Sequence, residues 1–172
     1  MTVFKFFRQI IWSIIDFVLL IFPDTYRIQR LRGDLFTIIF YGKLLQLTMA
    51  RRVIIIDSDN LKIGNRVLFA NGVWINATGT LEIGSDCQFG PYSIIVTNIH
   101  DKDSKNPRSE YRKGSIVIGS NCFIAGNCSI NPNVKIGSGT TVGSNSFVKS
   151  GTVFLRNQFA AGSPAKVIKK SI

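Results

Sequence analysis

The sequence predicts an all-β fold: a parallel β-helix of about four coils, preceded by N-terminal amphipathic helices. Three observations carry this. Ile or Val recurs every sixth residue, at Ile118, Ile124, Ile130, Ile136, Val142 and Val148. An upstream block keeps the same beat, with Ile63, Phe69 and Ile75, then, after two extra residues, Ile83, Phe89 and Ile95. The first 50 residues show helical rather than six-residue periodicity.

The N-terminal segment, residues 2–22, places Thr2, Lys5, Arg8, Gln9, Ser13 and Asp16 on one stripe of a helix, with Val, Phe, Ile and Leu over most of the rest. The charges interrupt it too often for a membrane span, which wants about 20 predominantly apolar residues. No small-residue cleavage site follows before Phe22-Pro23-Asp24, so a signal peptide is not expected. Two readings of the wide apolar face compete. It packs on the main domain or on a symmetry mate, or it lies in a membrane interface with Lys5, Arg8, Arg27, Arg30 and Arg32 near lipid phosphates. A second helix is expected over residues 34–50, giving a helical segment over 1–55, membrane-associating on the second of these readings, and a β-helix domain over 56–172.

A strict six fits neither a 3.6-residue helix nor long alternating strands. A short strand followed by a tight turn does fit, and three such units close a triangular coil of about 18 residues. Stacked coils then pair as parallel strands about 4.8 Å apart. The expected coils are 63–80, 83–100, 118–135 and 136–153. The branched residue fills the core, and the residue four later (Cys122, Cys128, Val134, Thr140, Ser146, Thr152) also points inward. The position one after the branched residue is mostly small or Asn (Gly119, Ala125, Asn131, Gly137, Gly143) and is expected to supply a left-handed corner. Cys87, Cys122 and Cys128 all fall in the inward slot and read as compact buried hydrophobes rather than nucleophiles or ligands.

The beat has one long interruption. After Ile95 it resumes only at Ile118, and the interruption, Thr97 to Ser115, is polar and holds His100, the single histidine of the chain. Loops on a rigid scaffold are where binding and catalysis concentrate.

Composition narrows the chemistry. A net charge of +11 and a pI near 10.0 imply an anionic partner. No basic run with interleaved aromatics and no helix-turn-helix or zinc-finger spacing is present, so nucleic acid is not expected. The phosphates of a nucleotide cofactor, or an anionic membrane, fit as well. With an odd number of cysteines, three, and no C-x-x-C pair, neither a disulfide framework nor a metal site is expected, and the location expected is cytoplasmic, at the inner face of the membrane if the helix binds lipid.

The stretch Phe89-Gly90-Pro91 to His100, the loop, the run Ile118-Gly119-Ser120-Asn121-Cys122-Phe123-Ile124, and the tail Ala161-Gly162-Ser163-Pro164-Ala165-Lys166-Val167-Ile168-Lys169 resemble the maltose and galactoside acetyltransferase branch of the hexapeptide-repeat acyltransferases. The resemblance covers residues 60–172 and implies a left-handed coil, although crossovers between parallel strands are generally right-handed. It implies an acetyl-CoA-dependent O-acetyltransferase acting on a saccharide hydroxyl, as in surface polysaccharide biosynthesis, and working as a homotrimer. It implies His100 as general base, with Glu110 as a catalytic carboxylate and Asp101 beside the acceptor. Both acids have a second reading as solvated loop charges. It implies Gly126, Ser144, Lys149 and Ser150 along the pantetheine arm, and Lys166 and Lys169 at the CoA phosphates. It implies Asn71 as a contact to the sugar, whose other reading is a corner Asn in the left-handed region. An N-acetyltransferase on an amino sugar and a non-catalytic assembly module remain open. A zinc-dependent carbonic anhydrase on the same scaffold needs three histidines and is excluded.

Overall fold

The computed structural model describes residues 3–100 and 111–170. Two helices come first, α1 (Val3–Leu19) and α2 (Tyr26–Tyr41). Arg8 Nη1 donates to the Phe40 carbonyl at 3.2 Å, the rings of Trp12 and Phe36 lie 5.1 Å apart, and Asp16 pairs with Arg32 at 3.0 Å. The helices therefore run antiparallel. The expected helix over 34–50 is corrected in both directions. It starts earlier, after Thr25, and stops at Gly42, whose φ of 66° lets its N–H close back on the Ile38 carbonyl at 3.0 Å. Beyond it, Leu45, Leu47 and Met49 are core residues of the first coil. Gly33 has no side chain because the Leu47 carbonyl oxygen stands where its Cβ would be, 2.1 Å away.

Five turns follow. The first holds β1 (Thr48–Met49), β2 (Ile54–Ile56) and β3 (Leu61–Ile63), and the second β4 (Leu68–Phe69), β5 (Trp74–Asn76) and β6 (Thr80–Ile83). The third holds β7 (Gln88–Phe89) and β8 (Ile94–Val96), the hairpin β9 (Asn98–His100) and β10 (Tyr111–Lys113), and β11 (Ser115–Ile118). The fourth has β12 (Phe123–Ile124), β13 (Ser129–Ile130) and β14 (Val134–Ile136), and the fifth β15 (Thr141–Val142), β16 (Phe147–Val148) and β17 (Val153–Phe154). The chain ends in β18 (Gln158–Gly162) and β19 (Ala165–Lys170).

Corresponding strands stack into three parallel sheets, which we call A, B and C. Sheet A runs β1-β4-β7-β12-β15-β18 with β19 added antiparallel, sheet B β2-β5-β8-β13-β16, and sheet C β3-β6-β11-β14-β17. The parallel β-helix is thus as expected, with one more turn than the repeat predicts. That turn keeps the beat at longer range. Met49, Ile55 and Ile63 pair in register with Phe69, Ile75 and Ile83.

The core is the axial stack of the repeat positions. Ile95, Ile124, Ile130, Val142 and Val148 are fully buried, as are Val134 and Thr140 four residues after their repeat residues. The three cysteines lie inside as expected, the thiols of Cys87, Cys122 and Cys128 donating to the carbonyls of Gly119, Gly137 and Gly143 at 3.0, 3.3 and 3.1 Å.

The corner assignment needs correction. The left-handed residue is the third after each branched position, not the first: Asn121, Asn127, Asn133, Gly139, Asn145 and Gly151, with φ between 56° and 81°. Asn tolerates that region better than other side chains that carry a Cβ. The glycine one after the branched residue has a different cause. At Gly119 a Cβ would sit 2.5 Å from the Ser138 backbone nitrogen, and at Gly84 2.5 Å from that of Ser120. These corners are small because the next coil lies against them.

Candidate functional site

The hairpin that breaks the repeat projects from the corner between sheets B and C. Its described strands pair antiparallel, with Asn98 opposite Lys113, Ile99 opposite Arg112, and His100 opposite Tyr111. Thr97 roots it. This residue is fully buried, accepts from Gly79 N–H at 2.7 Å through its hydroxyl, and donates that hydroxyl to the Asn76 carbonyl at 2.9 Å. Gly114 N–H closes the hairpin on the Thr97 carbonyl at 2.7 Å. Gly79 is held bare by the same closure, since a Cβ there would meet the Gly114 oxygen at 2.2 Å. His100, three residues from this clamp, is exposed. Asp101 and Glu110 lie outside the described residues.

Register assigns the remaining candidates to two edges of sheet B. Ile95 pairs with Ile130, and Ile130 with Val148. Counting two residues onward from each, Thr97, Pro132 and Ser150 stack in one column, with Lys149 beside Ser150. At about 4.8 Å per coil, Ser150 stands roughly 10 Å along the axis from the root of the His100 hairpin. Lys149 is exposed and Ser150 half-buried.

The opposite edge, between sheets A and B, is a second column. Tyr92 N–H donates to the Asn71 carbonyl, Asn127 N–H to that of Pro91, and Asn145 N–H to that of Gly126, at 3.0, 2.9 and 3.0 Å. Asn71, Pro91, Gly126 and Ser144 follow one another up this edge. The tail leaves from its top: β18 and β19 pair with Ala161 opposite Lys166 and Phe159 opposite Lys169, and both lysines are exposed. Asn71 is not in the left-handed region, which is taken by Gly72 at φ 71°. Its side-chain oxygen is buried without a hydrogen-bond partner among the described residues. The corner reading of Asn71 is therefore not borne out.

One chain therefore does not gather these residues into one pocket. His100, Lys149 and Ser150 occupy one edge of sheet B; Asn71, Gly126, Ser144 and the tail lysines occupy the other. Between the edges, the outer face of sheet B carries Ile54, Trp74 and Ile94 side by side in register. Ile54 and Ile94 are exposed. The outward ladder was missed in the sequence, although its signal is there: an apolar residue immediately before the inward Ile55, Ile75 and Ile95.

Residues 115–150 match the family described as bacterial transferase hexapeptide (six repeats). No curated protein sequence matches the chain significantly. Among solved structures, a hexapeptide-repeat acetyltransferase from Vibrio cholerae superposes with a TM-score of 0.76 at 20% identity, over 99% of this chain and 93% of that one. A structure of it complexed with acetyl coenzyme A superposes at 0.71, with 23% identity, over 86% and 76%. A maltose O-acetyltransferase from Clostridium difficile 630 matches at a TM-score of 0.72 and 21% identity, over 96% and 87%. A polySia-specific acetyltransferase is 30% identical over 65% of this chain and 48% of its own, at a TM-score of 0.53. The fold is the left-handed β-helix of the hexapeptide-repeat acetyltransferases.

Proposed function

We propose that this chain, which carries the hexapeptide repeat of the bacterial transferases, moves an acetyl group from acetyl-CoA to a hydroxyl of a saccharide. The observation that carries this is the hairpin: the one long interruption of the repeat is a clamped projection that presents the single histidine on the edge it shares with Lys149 and Ser150. A structure with acetyl coenzyme A bound and a maltose O-acetyltransferase on the same fold support the donor and the acceptor class.

In this reading His100 takes the proton of the acceptor hydroxyl as its oxygen attacks the thioester carbonyl. An alcohol is a poor nucleophile at neutral pH, so the base is required as the C–O bond forms. The tetrahedral intermediate collapses with cleavage of the C–S bond. The CoA thiolate leaves and recovers the proton from the imidazolium. Asp101 and Glu110, which both follow the histidine in sequence, are assigned to orient the ring and to meet the acceptor. Gly126 and Ser144 leave room for the pantetheine arm, with Lys149 and Ser150 on the facing edge, and Lys166 and Lys169 meet the phosphates as point charges. Asn71 offers its unpaired oxygen to a sugar hydroxyl.

The division of these residues between two edges supports a homotrimer, in which one chain's Asn71 edge faces its neighbour's His100 edge across the apolar outer face of sheet B. A cytoplasmic enzyme acting on a saccharide that is being built into a surface polymer fits the donor and the basic charge.

The test is acetyl-CoA thiol release against a panel of saccharides and amino sugars, with CoA binding followed by calorimetry. Turnover giving an acetyl group labile to mild base supports an ester and O-transfer; a base-stable product assigns N-transfer instead. A chain that binds no CoA and releases no thiol with any acceptor is a non-catalytic module, and the reading fails.

A further inference from the structure

Helix α1 faces the body with Arg8, Trp12, Ile15, Asp16 and Leu19, and turns most of its apolar residues away from it. Lys5 Nζ reaches Asp59 at 2.6 Å, Arg8 pairs with the other oxygen of the same carboxylate, and Asp16 accepts from Arg32 at 3.0 Å. Arg32 is almost wholly buried, and also binds Asp24 at 3.2 Å and the Met49 carbonyl at 3.1 Å, so the contact is anchored in the first coil. One chain therefore covers only part of the apolar face, through Trp12, Ile15 and Leu19, and leaves the remainder exposed.

The outward stripe is Val3, Phe7, Ile10, Ile14, Phe17 and Ile21, spaced by fours and threes, with exposures of 72, 56, 39, 60, 70 and 76%. Phe4, Ile11 and Val18 widen it, and Phe22 and Tyr26 extend it past the helix end. No helix is long and apolar enough among the described residues to cross a membrane. A helix of this kind lies in an interface rather than through it.

Charge identifies the surface it meets. The three carboxylates of the helix pair, Asp16, Asp24 and Asp34, are each taken by an arginine, Arg32 or Arg30. Among the described residues, Arg27 and Lys43 have no carboxylate within ion-pair distance, and both are exposed. Because the helices are antiparallel, Lys43 follows the end of α2 beside the start of α1, and Arg27 lies beside the end of α1. Cations without an ion pair thus stand near both ends of the exposed apolar stripe, and among the described residues the carboxylates of the helix pair itself are all paired. A bilayer with anionic headgroups answers both features together, acyl chains taking the stripe and phosphates taking the cations.

We propose that α1 is an interfacial anchor that seats the protein on an anionic phospholipid surface, apolar stripe inserted and β-helix held off the membrane by the Asp59 and Arg32 ion pairs. The proposal does not depend on acetyl transfer, and its test does not use activity. The full chain is mixed with phosphatidylcholine vesicles with and without phosphatidylglycerol, and binding is read by flotation. Wild type binds the anionic vesicles, more weakly as salt rises. The Phe7→Ser, Ile14→Ser, Phe17→Ser variant loses more than about tenfold in binding, since each apolar side chain returned to water costs about that factor in partition. A second readout avoids any folding defect: Phe17→Trp, a conservative exposed change, is quenched by brominated lipid in anionic vesicles. Absence of wild-type binding, triple-variant binding at wild-type strength, or no quenching of the new tryptophan overturns the proposal. So does a triple variant that binds vesicles normally but falls apart on sedimentation, which would assign the stripe to a second copy of the chain.

Discussion

Gly114 donates its backbone N–H to the Thr97 carbonyl at 2.7 Å, and that bond shuts the base of the hairpin on which His100 stands. The side chain of Thr97 is buried beneath it, bridging Gly79 and Asn76 of the preceding coil. The candidate base is therefore held by the β-helix through one threonine.

Thr97→Val keeps the shape and removes both hydroxyl bonds, leaving the half-buried Gly79 N–H without its partner. An unsatisfied buried donor costs about 1–3 kcal/mol. The melting temperature should fall accordingly in thermal denaturation followed by circular dichroism. Turnover should fall as well, because the hairpin loses its fixed root. A variant as stable and active as wild type would remove Thr97 from this role.

His100→Ala tests the chemistry itself. General-base catalysis contributes about 10²–10⁴-fold. Turnover should drop within that range while CoA affinity, set by the later coils and the tail, stays near wild type. Wild-type turnover excludes His100 as the base, and parallel loss of rate and CoA binding would mark it as structural. The residue is exposed, so unfolding is not expected to confuse the result.

Lys166→Glu with Lys169→Glu tests the donor site separately. Both are exposed on β19. CoA binding should weaken and lose much of its salt dependence, while a truncated donor carrying only the pantetheine arm should be affected little. Equal loss with both donors would place the phosphates elsewhere.

Asp59 ties α1 to the first coil, and its carboxyl is held below the ordinary range, first by the hydrogen bond from Lys5 and then by Arg8. A depressed carboxyl pKa contributes stability that is present above the unfolded value and lost as pH falls through the folded one. Hydrogen exchange in α1 should therefore stay protected at neutral pH and accelerate on acidification below the usual carboxylate range. Asp59→Asn should show the fast exchange already at pH 7, with β-helix amides unchanged. Unchanged protection in the variant would mean that Arg32 alone holds the helix.

Gly119 and Asn121 stand two residues apart with opposite requirements. Gly119→Ala places a Cβ 2.5 Å from a backbone nitrogen of the next coil and should destabilise by about 1–3 kcal/mol. Asn121→Gly, at φ 58°, should be close to neutral in the same denaturant titration.

The sequence by itself determined the β-helix, because a coil is a local object. Each six-residue unit carries its own inward Ile or Val, its small inward partner and its turn, so spacing alone reports the fold, the buried cysteines and the place where the hairpin leaves. The first turn escaped because Met49 falls in the stretch 34–50 that reads as helix, although Met49, Ile55 and Ile63 match the next turn residue for residue. Tertiary structure decided what depends on distant partners. Amphipathicity showed that α1 has two faces, but the inward one was chosen by Asp59, 51 positions beyond Arg8, and by the buried Arg32. Likewise the candidate residues are scattered along the chain, and only strand register sorts His100, Lys149 and Ser150 onto one edge and Asn71, Gly126 and Ser144 onto the other. Periodicity fixes what each unit does alone, whereas faces and edges are set by charges and hydrogen bonds that meet only when the coils stack.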